Sequence, residues 1–79
     1  MGFNSSGIPT PEIQKHICTF GGNGKGWYRE LNIVKWGDQE PKFDLRAWNE
    51  DHKSCTKGFT FSEEEAVKIA QALTDHFHN

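Results

Sequence analysis

The side chains best placed to do chemistry lie between Glu30 and Trp48, a stretch reading ELNIVKW, GDQEP, KFDLRAW. Trp36 and Trp48 sit there among Lys35, Lys42 and Arg46, and Lys25, Arg29 and Lys57 are close by in sequence. Flat rings and fixed cations are the ingredients of a surface that holds unpaired nucleic-acid bases. Each stacked base is worth about 1–3 kcal/mol whatever its identity, while the cations follow the phosphates. Arg46 is two residues before Trp48, so on a strand the two share a face. The competing assignment puts Trp27, Trp36 and Trp48 in a core or subunit interface and makes the cations ordinary solvated charge.

Other chemistries fit less well. His16 with Cys18, His52 with Cys55, and the terminal His76 and His78 are ligand types suited to tetrahedral zinc. No CxxC knuckle occurs, and nothing in the spacing brings the two halves together, so no metal or other cofactor is expected. A cysteine nucleophile would need a histidine base beside Cys18 or Cys55, and so short a chain has little room for a deep pocket. The expectation is a protein that is not an enzyme. The glycine-rich Gly21 to Gly26 lacks the GxxxxGK[ST] pattern of a phosphate-binding loop and no helix follows it. It reads as a mobile hairpin turn with Lys25 exposed.

The elements that must position these groups follow from periodicity. Leu31, Ile33 and Lys35 alternate with Asn32, Val34 and Trp36; Phe43, Leu45 and Ala47 alternate with Lys42, Asp44, Arg46 and Trp48. Period two over two arms with a Gly/Asp/Pro segment between them predicts a hairpin of half-buried strands. The apolar set reads as the inner face, and the set bearing Arg46 and Trp48 as the outer, solvated one. Further strands are expected over Glu12 to Phe20, with a bulge able to switch faces, and over Lys57 to Phe61. Ser62 and Glu65 form a capping box ahead of a helix running to about His76. Ala66, Ile69, Ala70, Leu73 and Phe77 make its apolar stripe. Residues 1–11, rich in Gly, Ser and Pro, read as a flexible arm in which only Phe3 and Ile8 could dock, and 12–79 as one domain.

The chain of 79 residues with 34% apolar content has a small core. One helix covers a four-stranded sheet poorly, so an α+β homodimer is the physical expectation. The net charge of −2 and isoelectric point of about 6.0 argue against a uniformly basic nucleic-acid binder. They leave room for a basic patch balanced by Glu63, Glu64 and Glu65. Two cysteines, no signal peptide and no apolar run long enough to cross a bilayer point to a reducing cytoplasm and no membrane partner.

Asp44-Leu45-Arg46 followed closely by Trp48, then a polar loop, then Lys57-Gly58 before an apolar strand and a capped terminal helix, resembles the transcriptional positive cofactor four family in its YdbC-like bacterial branch. The resemblance covers about Glu12 to Leu73. It implies a curved four-stranded antiparallel sheet followed by one helix (ββββα), dimerised largely through the helices. It also implies grooves that bind single-stranded DNA with little sequence preference. Carried onto this chain, it assigns Arg46 and Trp48 to the strand before the polar loop, Trp36 to the hairpin tip, and Lys57 to the position before the strand-four glycine. Arg29 and Lys35 align with basic positions on the preceding strand. The serine- and lysine-rich tail of eukaryotic members has no counterpart here. Trp36 and Trp48 are thus expected to stack on bases and Arg46 to pair a phosphate or stack, with Lys25, Arg29, Lys35, Lys42 and Lys57 supplying field. Transcription, replication or repair would be the setting, with nucleoid association in the cytoplasm. The alternatives are a module contacting the transcription machinery and a single-stranded RNA binder.

Overall fold

The computed structural model describes residues 10–78. Phe3, Ile8 and most of the expected arm lie outside the described residues; Thr10 is half-buried and Pro11 buried. Four strands and a helix follow: β1 (Glu12–Gly22), β2 (Trp27–Lys35), β3 (Lys42–Asn49), β4 (Phe59–Phe61) and α1 (Glu63–Phe77). The strands form one antiparallel sheet in the order β1-β2-β3-β4. The α+β, ββββα architecture expected from the periodicity is the observed one.

The β2–β3 hairpin is regular, pairing Trp27 with Asn49 through to Val34 with Lys42. Its turn closes with Gln39 N donating to Trp36 O at 2.9 Å, and Gly37 takes a φ of 54° that a side chain would disfavour. β1 is irregular, with register shifts at Gln14, Ile17 and Phe20. These bulges place Ile13, His16 and Thr19 opposite Val34, Asn32 and Glu30, and leave Ile17 and Phe20 facing the other side. Ile13 and Ile17, which strict alternation would put on one face, therefore sit on opposite faces.

The helix begins as expected. Ser62 Oγ accepts from Glu65 N at 3.1 Å and Glu65 Oε1 accepts from Ser62 N at 2.9 Å. Such a cap contributes about 1 kcal/mol. The α1 stripe of Ala66, Ile69, Ala70 and Leu73 lies over Ile17, Leu31, Phe43, Leu45 and Phe61, leaving an apolar cavity of about 380 Å³. Phe61 anchors this layer, with ring centroids 5.8 Å from Phe43 and 5.7 Å from Phe59. No described residue of α1 is fully buried, and Leu73 keeps 53% of its surface exposed.

The sheet's other face reverses the expected exposure. Glu30, Asn32, Val34, Asp44, Arg46 and Trp48 are all buried, and Trp48 has no exposed surface at all. The alternation is as expected, but the face carrying Arg46 and Trp48 is not solvated. Glu30, Asn32, Asp44 and Arg46 hydrogen-bond among themselves and their neighbours, while the buried Trp48 Nε1 finds no partner among the described residues. The apolar face stays half-open under a single helix.

Gly58 lets the chain before β4 close against this arrangement. A methyl group there would fall on Arg46 Cβ and on the Leu45 carbonyl oxygen. Gly58→Ala should therefore destabilise the fold by about 1–3 kcal/mol, the usual cost of overpacking. Urea denaturation followed by tryptophan fluorescence would measure it, and an unchanged midpoint would contradict this packing.

Candidate nucleic-acid interface

Trp48 has no exposed surface, and Arg46 is buried with its guanidinium committed to partners within the fold, so neither is free to stack on or pair with a ligand as expected. The Arg46 guanidinium donates in bidentate fashion to Asp44, with Nε–Oδ1 and Nη2–Oδ2 both 2.7 Å. Thr60 Oγ1 adds a third hydrogen bond to Asp44 Oδ2 at 3.0 Å. Arg46 Nη1 donates to the Thr56 carbonyl at 3.3 Å, and its Cζ lies 4.9 Å from the Trp36 ring centroid. Burial alone would lower the Arg46 pKa. The hydrogen bonds and charge of Asp44 outweigh it and hold the pKa above its ordinary value, so the group stays a cation wherever the protein is folded. Trp48 lies beneath His52, with ring centroids 5.6 Å apart.

The same face gathers a second cluster. Glu30, itself buried, has Oε2 at 2.8 Å from His52 Nε2 and Oε1 at 3.1 Å from Asn32 Nδ2. His16 Nδ1 lies 2.7 Å from Asn32 Oδ1 and 3.5 Å from Glu30 Oε1, and its Nε2 lies 3.2 Å from Thr19 Oγ1. Ile13, His16, Thr19, Glu30 and His52 line a cleft of about 380 Å³. His16 and His52, drawn from the two halves of the weighed zinc pattern, thus come together, but around a carboxylate. Cys18 is exposed, and Cys55 is buried with Sγ 4.0 Å from Arg46 Nη1. Among the described residues no group of three or more His, Cys, Asp or Glu is arranged to hold a metal ion.

The remaining expected site residues divide between the two ends of the sheet. Lys35, Trp36 and Lys42 flank the β2–β3 turn. Arg29 and Lys57 lie towards the far end, and Lys25 is in the β1–β2 turn at that end. Arg29 and Lys35 are about 20 Å apart along β2 at about 3.4 Å per residue, so the eight residues do not form one continuous trough.

The group at the far end does form a groove. One depression, of about 270 Å³, is lined by Phe20, Arg29, Leu45, Arg46, Ala47, Thr56 and Lys57. An adjoining one, of about 380 Å³, shares Arg29, Ala47 and Thr56 and adds Gly22, Asn23 and Trp27. Phe20 is 53% exposed and Trp27 half-buried. Arg29 lies against Gly21, where an added Cβ would meet its Nε at 3.5 Å. Among the described residues, Lys25, Arg29 and Lys57 have no carboxylate partner. Asn23 Oδ1 shapes the turn beside them, accepting from Lys25 N at 2.7 Å and Trp27 N at 3.3 Å. Phe20, Trp27, Asn23 and Thr56 are the lining residues that periodicity did not single out. The signal for Phe20 was a bulge, which turns a strand residue to the other face.

Truncating Trp48 should consequently cost folding rather than ligand contact. Trp48→Ala empties a fully buried site and should destabilise by about 3–5 kcal/mol, read as a lowered thermal midpoint. Retention of wild-type stability would show that the indole is not a packing element.

No family model matches the chain. It is similar to an uncharacterised protein of Treponema pallidum (strain Nichols), with 32% identity over 62 residues, 78% of this chain and 73% of that protein. The chain belongs to the same family as this Treponema pallidum protein.

Proposed function

We propose that this protein binds single-stranded DNA with little sequence preference, in the groove formed by Phe20, Trp27, Arg29, Thr56 and Lys57, and that it does so as a homodimer. One observation carries this most directly: cations without carboxylate partners share a concave surface with flat, accessible rings. Phe20 and Trp27 stack on bases, and Lys25, Arg29 and Lys57 neutralise phosphates. The groove stands in for the Trp36–Arg46–Trp48 surface expected from the hairpin. Lys35, Lys42 and Trp36, at the opposite end, extend the path only if the strand crosses the whole sheet. The resemblance to the positive cofactor four family points to the same class of ligand. Transcription, replication or repair is the setting, in the cytoplasm with the nucleoid, and the protein is not an enzyme. No helix among the described residues is long and apolar enough to cross a membrane.

The dimer rests on the apolar face. Ile17, Ile69 and Leu73 are substantially exposed beside the cavity under α1, whose lining has no charged side chain. Burying such surface contributes about 25 cal/mol per Å², and a second copy supplies a matching patch by symmetry. Leu45 lines both this cavity and the DNA groove, so dimerisation brings the grooves beside the interface. The same apolar face is what favours the rival, a module docking on the transcription machinery.

Phe20→Ala should weaken oligo-dT binding by roughly the 1–3 kcal/mol of one stacked base without loss of stability, measured by fluorescence anisotropy. Binding should also fall steeply with salt as displaced counterions are lost as a driving force. A flat salt response would transfer the groove to a protein partner, and equal affinity for RNA of the same length would widen the ligand class. Separately, Leu73→Asp should convert a dimer to a monomer in sedimentation velocity. A monomeric wild-type chain would remove the second copy from this account.

A further inference from the structure

The segment joining β3 to β4 is fastened to β3 by backbone and Thr56 side-chain hydrogen bonds, and to the polar face by Arg46 and His52. After Asn49 the chain turns and comes back along the free edge of β3. Asn49 N donates to Ser54 O at 3.1 Å, Thr56 N donates to Ala47 O at 3.0 Å, and Trp48 and Cys55 form an antiparallel bridge. This return delivers Thr56 and Lys57 to the wall of the groove. Arg46 Nη1 holds the Thr56 carbonyl, and His52 reaches across Trp48 to Glu30.

His52 is the unusual member. Its φ of 60° is a left-handed conformation, uncommon outside glycine. Such conformations persist where the surroundings over-determine them. Here the surroundings are the Glu30 carboxylate, 2.8 Å from Nε2, the Trp48 ring, and the Asn49 carbonyl, which accepts from His52 N at 3.0 Å. His52 lines neither depression of the groove, so the proposed binding has no direct use for it.

We propose that His52 is a positioning residue: its bond to Glu30 keeps the 50–58 segment closed and thereby sets Thr56 and Lys57 at the groove wall. The proposal rests on the nucleic-acid assignment of that groove. A lysine whose backbone is already fixed loses less conformational freedom when it meets a phosphate. The closed segment also buries Cys55, whereas Cys18 is exposed in any case. Thiol accessibility therefore reports closure without any nucleic acid present.

The test uses the full chain as wild type, His52→Ala, Lys57→Ala, their double variant and His16→Ala. His16 shares Glu30 with His52 but approaches it from β1, and its own hydrogen bonds go to Asn32 and Thr19 rather than to the segment. Titration with an aromatic disulfide reagent should find one fast thiol in the wild type and in His16→Ala, and two in His52→Ala. His52→Asn tolerates the left-handed backbone but is too short to reach Glu30, so it should also show two. In oligo-dT binding, Lys57→Ala should reduce the slope of log affinity against log salt by about 0.7, the value for one phosphate contact on a single strand. His52→Ala should reduce it by the same amount, and the double variant no further; His16→Ala should keep the wild-type slope. The proposal is overturned if Cys55 stays slow in both His52 variants, or if the His52 and Lys57 effects add. A wild-type chain that binds no oligonucleotide would instead overturn the groove's assignment, and the thiol count alone would then decide the latch.

Discussion

The buried pair of Asp44 and Arg46 is the constraint on which the rest depends. Two charges leave water on adjacent same-face positions of β3, at a desolvation cost that only close and complete pairing can offset. Completeness is what the structure supplies. Asp44 takes two hydrogen bonds from Arg46 and one from Thr60 of β4, and Arg46 spends a further donor on the Thr56 carbonyl and its face on Trp36. One ion pair therefore ties together β3, β4, the hairpin tip and the returning segment. Its net contribution to stability is small, but removing either partner would leave an isolated buried charge, at about 3–5 kcal/mol.

That pair also explains what could and could not be read from the chain. The strands, their alternation, the hairpin and the capped helix were legible because period two, period 3.6 and the Ser62–Glu65 box are local signals. Which face of the sheet meets water was not. Polarity is a guide to exposure only while polar groups lack partners, and Asp44, Arg46, Glu30 and Asn32 have theirs on the same face. Trp48, taken for a stacking ring because it sat among charges, is instead fully buried within a polar layer. Phe20 was missed for a different reason. Its bulge inserts an extra residue, so counting by twos along β1 assigns side chains to faces that register shifts at Gln14 and Ile17 have already exchanged.

The result is a sheet with one closed polar side and one half-open apolar side. A single four-turn helix cannot finish the second side, and the area it leaves divides into two parts. Under α1 the lining side chains are all apolar, and this is the patch proposed for a second copy. Beyond the helix it carries Arg29 and Lys57 beside the exposed Phe20 and the half-buried Trp27, the groove proposed for single-stranded DNA. Net charge is silent on that division, since Glu63, Glu64 and Glu65 are placed at the first turn of α1, where they favour the helix dipole.

The irregularity of β1 has an effect beyond where its side chains face. At eleven residues it is the longest strand and forms an outer border of the sheet. A flat strand of that length would offer a row of unpaired amides and carbonyls as a template for a stranger's backbone. Extra residues at Gln14, Ile17 and Phe20 interrupt that row at three places. Interrupting an edge in this way is one of the means by which sheets resist edge-to-edge pairing.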